Sequence, residues 1–158
     1  MKMYADTSFL VRLLVRDADN EAALAAHRRI GRPLLIYTAF HNLEVTNALN
    51  LRVFAVAGAT SAMKRHARQD QEEAERRLKA CLTKGLFLSM PTPWDAAAER
   101  AAELSSTHSQ KLGARSFDLF HVAAALELHC KEFITCDLRQ AALARAAGLK
   151  VILVRREA

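Results

Sequence analysis

Short apolar runs alternate along this chain with longer stretches in which apolar residues recur every three or four positions. The runs at Lys2–Ala5, 34–37 ("LLIY"), 86–90 ("LFLSM"), 132–135 ("EFIT") and 150–154 ("KVILV") predict strands. The periodic stretches predict helices, beginning with Thr7 to Val15 and Asp19 or Asn20 to near Gly31. A long helix follows from a Thr38 cap to Ala57, closed by Gly58, and another from Thr60 or Ser61 to just before Gly85. Further helices cover roughly 94–105, Ser116 to Cys130 and Asp137 to Gly148, with polar "SSTHSQKLGAR" between the first two read as a loop. Strands this short and uniformly apolar suit a parallel sheet covered on both faces. Right-handed crossovers then give an α/β three-layer sandwich with a five-stranded parallel sheet. No repeat, low-complexity tract or linker interrupts the chain, so residues 1–158 read as one domain.

Composition adds little to that picture, but charge adds something. Half the residues are hydrophobic (51%) and a quarter charged (25%), as in an ordinary folded protein. Lys and Arg outnumber Asp and Glu by 23 to 17, a net charge of +6 that is compatible with a polyanionic partner. No uncharged stretch exceeds eleven residues, too few to span a bilayer, and Asp6 and Arg12 break any leader-like apolar run. Cys81, Cys130 and Cys136 form no C-x-x-C pair and read as buried free thiols. The expectation is a cytoplasmic protein in a reducing compartment, with no membrane partner.

The candidate chemistry lies in four acids. Ligands in open α/β sheets bind outside the carboxyl ends of the strands, and Asp6 and Asp137 follow the first and fourth strands. Asp118 falls in the first turn of the helix before the fourth strand. Each has an ordinary structural reading: Asp6 as a helix cap, Asp118 behind a Ser116 cap, and Asp137 with Gln140 as a capping box. Glu44 lies too deep in its helix to cap. It shares a face with Phe40, Leu43, Asn47, Ala48, Leu51 and Phe54, which predicts a carboxylate turned toward the core, costly unless neutralised. Converging carboxylates without a His or Cys cluster point to Mg²⁺ or Mn²⁺, which take oxygen ligands and work beside phosphate. Such an ion would activate water for phosphodiester hydrolysis, and the Lys and Arg surplus would hold the backbone.

"YADTSFLV", "TAFHNLEVTNAL", "RSFDLFHVAAAL" and "FITCDLRQAALARAAGLKVI" occur in that order, and together they resemble the acid-bearing blocks of the PIN-domain family. Within it the chain is most similar to VapC-type toxins of prokaryotic toxin–antitoxin pairs. The resemblance spans the whole chain, and T-x-D at Thr135 to Asp137 is its most specific part. It implies a Mg²⁺- or Mn²⁺-dependent ribonuclease, an RNA substrate and a cognate antitoxin. By position it implies metal-binding, catalytic roles for Asp6, Glu44, Asp118 and Asp137, with Ser8 and Thr135 supporting them. The helical pair from about 39 to 84 is longer and more charged than the family pattern.

Of the remaining residues, His121 reads as a satisfied core or edge histidine and Trp94 as packing. Arg115 is a candidate RNA contact, and "KRHARQDQEEAERR" a solvated helix face. A second apolar stripe, Val45, Leu49, Val53 and Val56, predicts a long helix covered on two sides, by the next helix and by another subunit or an antitoxin helix. A homodimer through this hairpin is the expectation. Two rival enzyme folds fail on residues: a receiver domain wants an acidic pair where Ala5-Asp6 stands, and a haloacid-dehalogenase-type phosphatase wants a second Asp at Ser8. A catalytically degenerate PIN scaffold acting as a binding module is the alternative that stays open.

Overall fold

The structure, a computed structural model, describes residues 2–155; the first residue and the last three of the span read as one domain lie outside them. Its strands are β1 (Lys2–Ala5), β2 (Leu34–Tyr37), β3 (Phe87–Ser89), β4 (Glu132–Thr135) and β5 (Lys150–Leu153). The helices are α1 (Thr7–Leu14), α2 (Asn20–Arg29), α3 (Ala39–Ala55), α4 (Ser61–Thr83), α5 (Trp94–Leu104), α6 (Gln110–Leu112), α7 (Ser116–Glu127) and α8 (Leu138–Ala146). All strand pairs are parallel, in the order β3-β2-β1-β4-β5, as the expected α/β sandwich requires. The chain leaves β1 toward one edge, then returns to β4 and proceeds to the other. The switch point therefore falls between β1 and β4, where a ligand crevice belongs.

Alternation along the strands divides the core into two. Met3, Ala5, Leu35, Tyr37 and Ile134 pack against α1, α2, α3 and α4. Tyr4, Ile36 and Phe133 point the other way, onto α5, α7 and α8. Two helix ends close with a glycine that supplies the left-handed conformation before a strand: Gly85 (φ +69°) before β3 and Gly148 (φ +87°) before β5. In each, the next amide reaches back into the helix, Leu86 to Cys81 (2.9 Å) and Leu149 to Ala144 (3.0 Å).

Two expectations need correcting. The segment 105–115 is a loop only at 113–115: before it, α5 runs on through a π-helical turn, Ser105–Ser109, into α6. Ser106 and Thr107 donate their hydroxyls to the carbonyls of Ala102 and Glu103 one turn back, so polar residues that suggest a loop extend the helix here. The core side of α3 is also turned: of the face expected inside, Phe40 is buried but most of the rest is not. His41, Val45 and Leu49 are buried, whereas Leu43, Leu51 and Phe54 are exposed. Asn47 is exposed too, and Glu44 sits half-buried at the border. Val45 and Leu49 join the core under α1 and α4, so half of the supposed outer stripe is filled by the chain itself. Of the cysteines, all free, only Cys130 is fully buried. Among the described residues no helix is long and apolar enough to cross a membrane.

His41 ties α3 to β1. Its Nε2–H donates to the Ala5 carbonyl at 2.8 Å, and Nδ1 accepts the Thr38 amide at 3.1 Å. Burial, reinforced by nearby His121, pushes its pKa down to about 3. The unfolded chain binds a proton at His41 near pH 6.5 while the folded chain does not, so this residue makes stability fall as pH drops from about 6.5 toward 3. The loss is about 1.4 kcal/mol for each pH unit within that window. His41→Gln, which keeps a donor for Ala5 but cannot titrate, should be less stable near neutral pH and should close part of that gap by about pH 4.5. Urea unfolding of both proteins at the two pH values checks this; a constant gap would contradict it.

Candidate functional site

Asp6 stands where β1 ends. Its backbone N–H continues the sheet to Ile134 of β4 at 3.0 Å, and its side chain caps α1 by accepting the Phe9 amide at 3.1 Å. The same carboxylate accepts the Ser8 hydroxyl at 2.8 and 2.9 Å and the Thr135 hydroxyl at 2.7 Å. Both hydroxyls are themselves oriented by the β4–α8 turn. Ser8 Oγ accepts the Cys136 amide at 3.2 Å, and Thr135 Oγ1 accepts the Asp137 amide at 2.9 Å. Two backbone dipoles are thus relayed onto one carboxylate.

Asp6 is only 5% exposed. Burial raises its pKa; the Thr135 hydroxyl, His121, the Ser8 hydroxyl and the Phe9 amide pull it back only in part. No Lys, Arg or His forms an ion pair with it among the described residues.

Glu44 is neutralised instead. Its Oε2 accepts the Thr7 hydroxyl at 2.6 Å and a short hydrogen bond from His121 Nε2. His121 Nδ1 lies 3.0 Å from the buried Tyr4 hydroxyl. Burial alone would raise the Glu44 pKa, but the hydrogen bond and charge of His121, with the Thr7 hydroxyl, hold it below the ordinary range. The core cost foreseen for a carboxylate on α3 is met by these two partners. His121 is the satisfied, buried histidine expected from the sequence, whereas Thr7 had no site reading there.

Asp118 is the third residue of α7 and accepts the Arg115 amide at 3.3 Å, so Arg115, not Ser116, is the residue before the helix. Arg115 itself is exposed. Asp137 caps α8 by accepting the amides of Arg139 (2.7 Å) and Gln140 (3.3 Å). The expected reciprocal bond from Gln140 is absent, because its buried amide donates to the Asp118 carbonyl at 3.1 Å and joins α8 to α7.

These bonds chain the four acids along one end of the sheet, yet they do not make one ring of ligands. Among the described residues no three His, Cys, Asp or Glu side chains are grouped to hold a metal ion. A cavity of about 620 Å³ lies elsewhere, between α3 and α4, lined by Val15, Leu49, Val56 and Met63, and none of the acids lines it.

Residues 3–149 match the model of the PIN domain. The chain belongs to the PIN-domain family. PIN domains are generally nucleases. Two solved structures share the fold. FitAcB from Neisseria gonorrhoeae has a TM-score of 0.58 at 19% identity, over 96% of each chain. VapBC-5 from Mycobacterium tuberculosis, a member of the VapBC family of toxin-antitoxin systems, has a TM-score of 0.54 at 23% identity, over 97% of this chain and 98% of that one. Comparison with curated proteins gave no match.

The hydroxyl relay makes a prediction of its own. Thr135→Val removes a donor from a charged, buried Asp6 and strands the Asp137 amide, so it should cost about 1–3 kcal/mol near neutral pH. The hydroxyl supports the ionised form, so the deficit should shrink as pH falls through the raised pKa of Asp6. Denaturant unfolding at neutral and acid pH measures it; a pH-independent deficit would show that the hydroxyl does not serve the carboxylate.

Proposed function

We propose that this PIN domain is a Mg²⁺- or Mn²⁺-dependent endoribonuclease, the toxin of a toxin–antitoxin pair. The observation that carries the reading is Asp6, a buried carboxylate at the switch point, supplied with hydroxyl and amide donors but in no ion pair with a Lys, Arg or His among the described residues. Oxygen donors suit a hard ion, and Mg²⁺ commonly takes one or two carboxylates and keeps several waters, so it needs no all-protein cage. Asp6 would hold the ion, with Glu44, Asp118 and Asp137 at the same end of the sheet. When bound, the ion supplies an activated water and charge neutralisation for displacement at phosphorus. The residues do the positioning. Thr135 and Ser8 fix the Asp6 oxygens, while His121 and Thr7 bind Oε2 of Glu44, whose Oε1 makes no hydrogen bond among the described residues. Arg115 and the surplus of basic residues would hold the RNA backbone.

A second reading has one observation in its favour. The missing three-ligand group and the His121-bound Glu44 suit a PIN scaffold that binds nucleic acid or protein without cleaving it. Cleavage assays separate the two. The chain should cut single-stranded RNA with Mg²⁺ or Mn²⁺ and not in EDTA, and Asp6→Asn should reduce cutting to background. Metal should also stabilise the wild type by about 2.7 kcal/mol at about 100 times Kd, and so raise its melting temperature, while stabilising the variant much less. Without metal, Asp6→Asn should melt no lower than the wild type, because it removes a desolvated charge. Normal cutting by the variant would overturn the assignment.

Partners follow from the same reading. The exposed Leu43, Leu51, Phe54 and Met63 of α3 and α4 offer an apolar surface for a homodimer or an antitoxin helix, and the toxin–antitoxin character of VapBC-5 supports the latter. A symmetric dimer at micromolar concentration is the expected result of light scattering, and Phe54→Lys should dissociate it. A monomeric wild type would remove the dimer from the account.

A further inference from the structure

Four of the chain's seven Phe, two Tyr and one Trp gather on the side of His121 away from the sheet. Phe40, buried at the start of α3, is the hub. Its ring centroid lies 4.7 Å from that of His121, the partner of Glu44, and 4.6 Å from that of Phe120. Phe117 meets it almost perpendicularly at 5.3 Å, and Trp94 does so at 6.0 Å. Trp94 also rests against Phe120 at 5.3 Å. The two outer rings are clamped by these contacts and yet remain 48% (Trp94) and 55% (Phe117) exposed. Rings clamped by neighbours and still about half exposed are unusual places for large apolar side chains, since burying them fully would contribute more to folding.

We propose that Trp94 and Phe117 form a stacking platform for unpaired bases of a single-stranded RNA, beside the acids at the end of the sheet. The proposal rests on the nuclease reading above and deepens it by naming how substrate is gripped. Three features favour bases over a protein partner. The exposed groups are flat rings, whereas the surface on α3 and α4 combines aliphatic Leu43, Leu51 and Met63 with a single Phe54. Along the chain Phe117 follows exposed Arg115 by two positions and directly precedes half-buried Asp118, so a cation and a carboxylate of the candidate site flank it in sequence. The chain's net charge of +6 attracts the polyanion that carries such bases. Stacking is tolerant of base identity because every base offers a π-face, so the platform would favour unpaired over duplex RNA more than one sequence over another.

Trp94 is the sole tryptophan, and its emission therefore reports on this surface alone. The full chain in EDTA, where cleavage does not compete, is titrated with an oligouridylate of about eight nucleotides, a length within single-strand site sizes. Saturable quenching of Trp94 is expected, with none from an abasic oligomer of the same charge. Phe117→Ala and Phe117→Leu should each weaken binding about 5- to 150-fold, the range for loss of one stacked base, with the salt dependence unchanged. Arg115→Ala should instead flatten the salt dependence by about one phosphate. Phe117 is more than half exposed, so melting curves should confirm that both variants fold. Tight binding with unaltered Trp94 emission and wild-type affinity in both variants would overturn the platform and leave the nuclease reading standing. Equal quenching by the abasic oligomer would assign the surface to phosphate rather than bases and also overturn it. Failure of any oligonucleotide to bind at low salt would remove both.

Discussion

A carboxylate withdrawn from water is tolerable only if its lone pairs find donors, and at Asp6 that requirement organises the centre of the fold. Ser8 must lie in the first turn of α1, Thr135 must end β4, and β4 must pair with β1 so that the two hydroxyls converge. Each hydroxyl in turn needs an amide from the β4–α8 turn to spend its own acceptor capacity. The arrangement satisfies geometry without neutralising charge, and the carboxyl stays harder to ionise than one in water. What is left over is the electrostatic demand that a cation would meet.

Glu44, hydrogen-bonded to Thr7 next to Asp6, shows the opposite solution. There an imidazole and a hydroxyl more than offset burial, and the carboxylate is ionised more readily than usual. The partner is held from the far side by Tyr4, whose ring also stacks on Phe133 of β4 at 5.5 Å. The two acids therefore differ in kind: burial leaves one harder to ionise, with no ion pair among the described residues, while the other is already answered by His121 and Thr7. Such separation of electrostatic environments marks functional sites more often than structural ones.

Strands and crossovers were legible because short, mostly apolar runs alternating with helical periodicity suit a parallel sheet covered on both faces. Asp6 and Asp137 were legible for the same reason, since the ends of those runs locate the crevice. The face of α3 was not. That helix carries two apolar stripes, and hydropathy cannot say whether Val45 and Leu49 or Leu51 and Phe54 meet the chain's own core. The segment after Leu104 was misread because serine and threonine signal a loop unless their hydroxyls return to the preceding turn. The Glu44–His121 pair depends on how α3 and α7 cross, a tertiary fact with no local signature, and the turn of Gln140 toward the Asp118 carbonyl is of the same kind.

Under the proposed function a divalent ion sits against the Asp6 carboxylate. Crystals of the chain soaked in Mn²⁺ and measured for anomalous scattering test it directly. The account predicts an anomalous peak against the Asp6 carboxylate, at the carboxyl ends of β1 and β4, that disappears in Asp6→Asn crystals. A well-ordered map with no peak at Asp6, or with the ion bound only elsewhere, would contradict it.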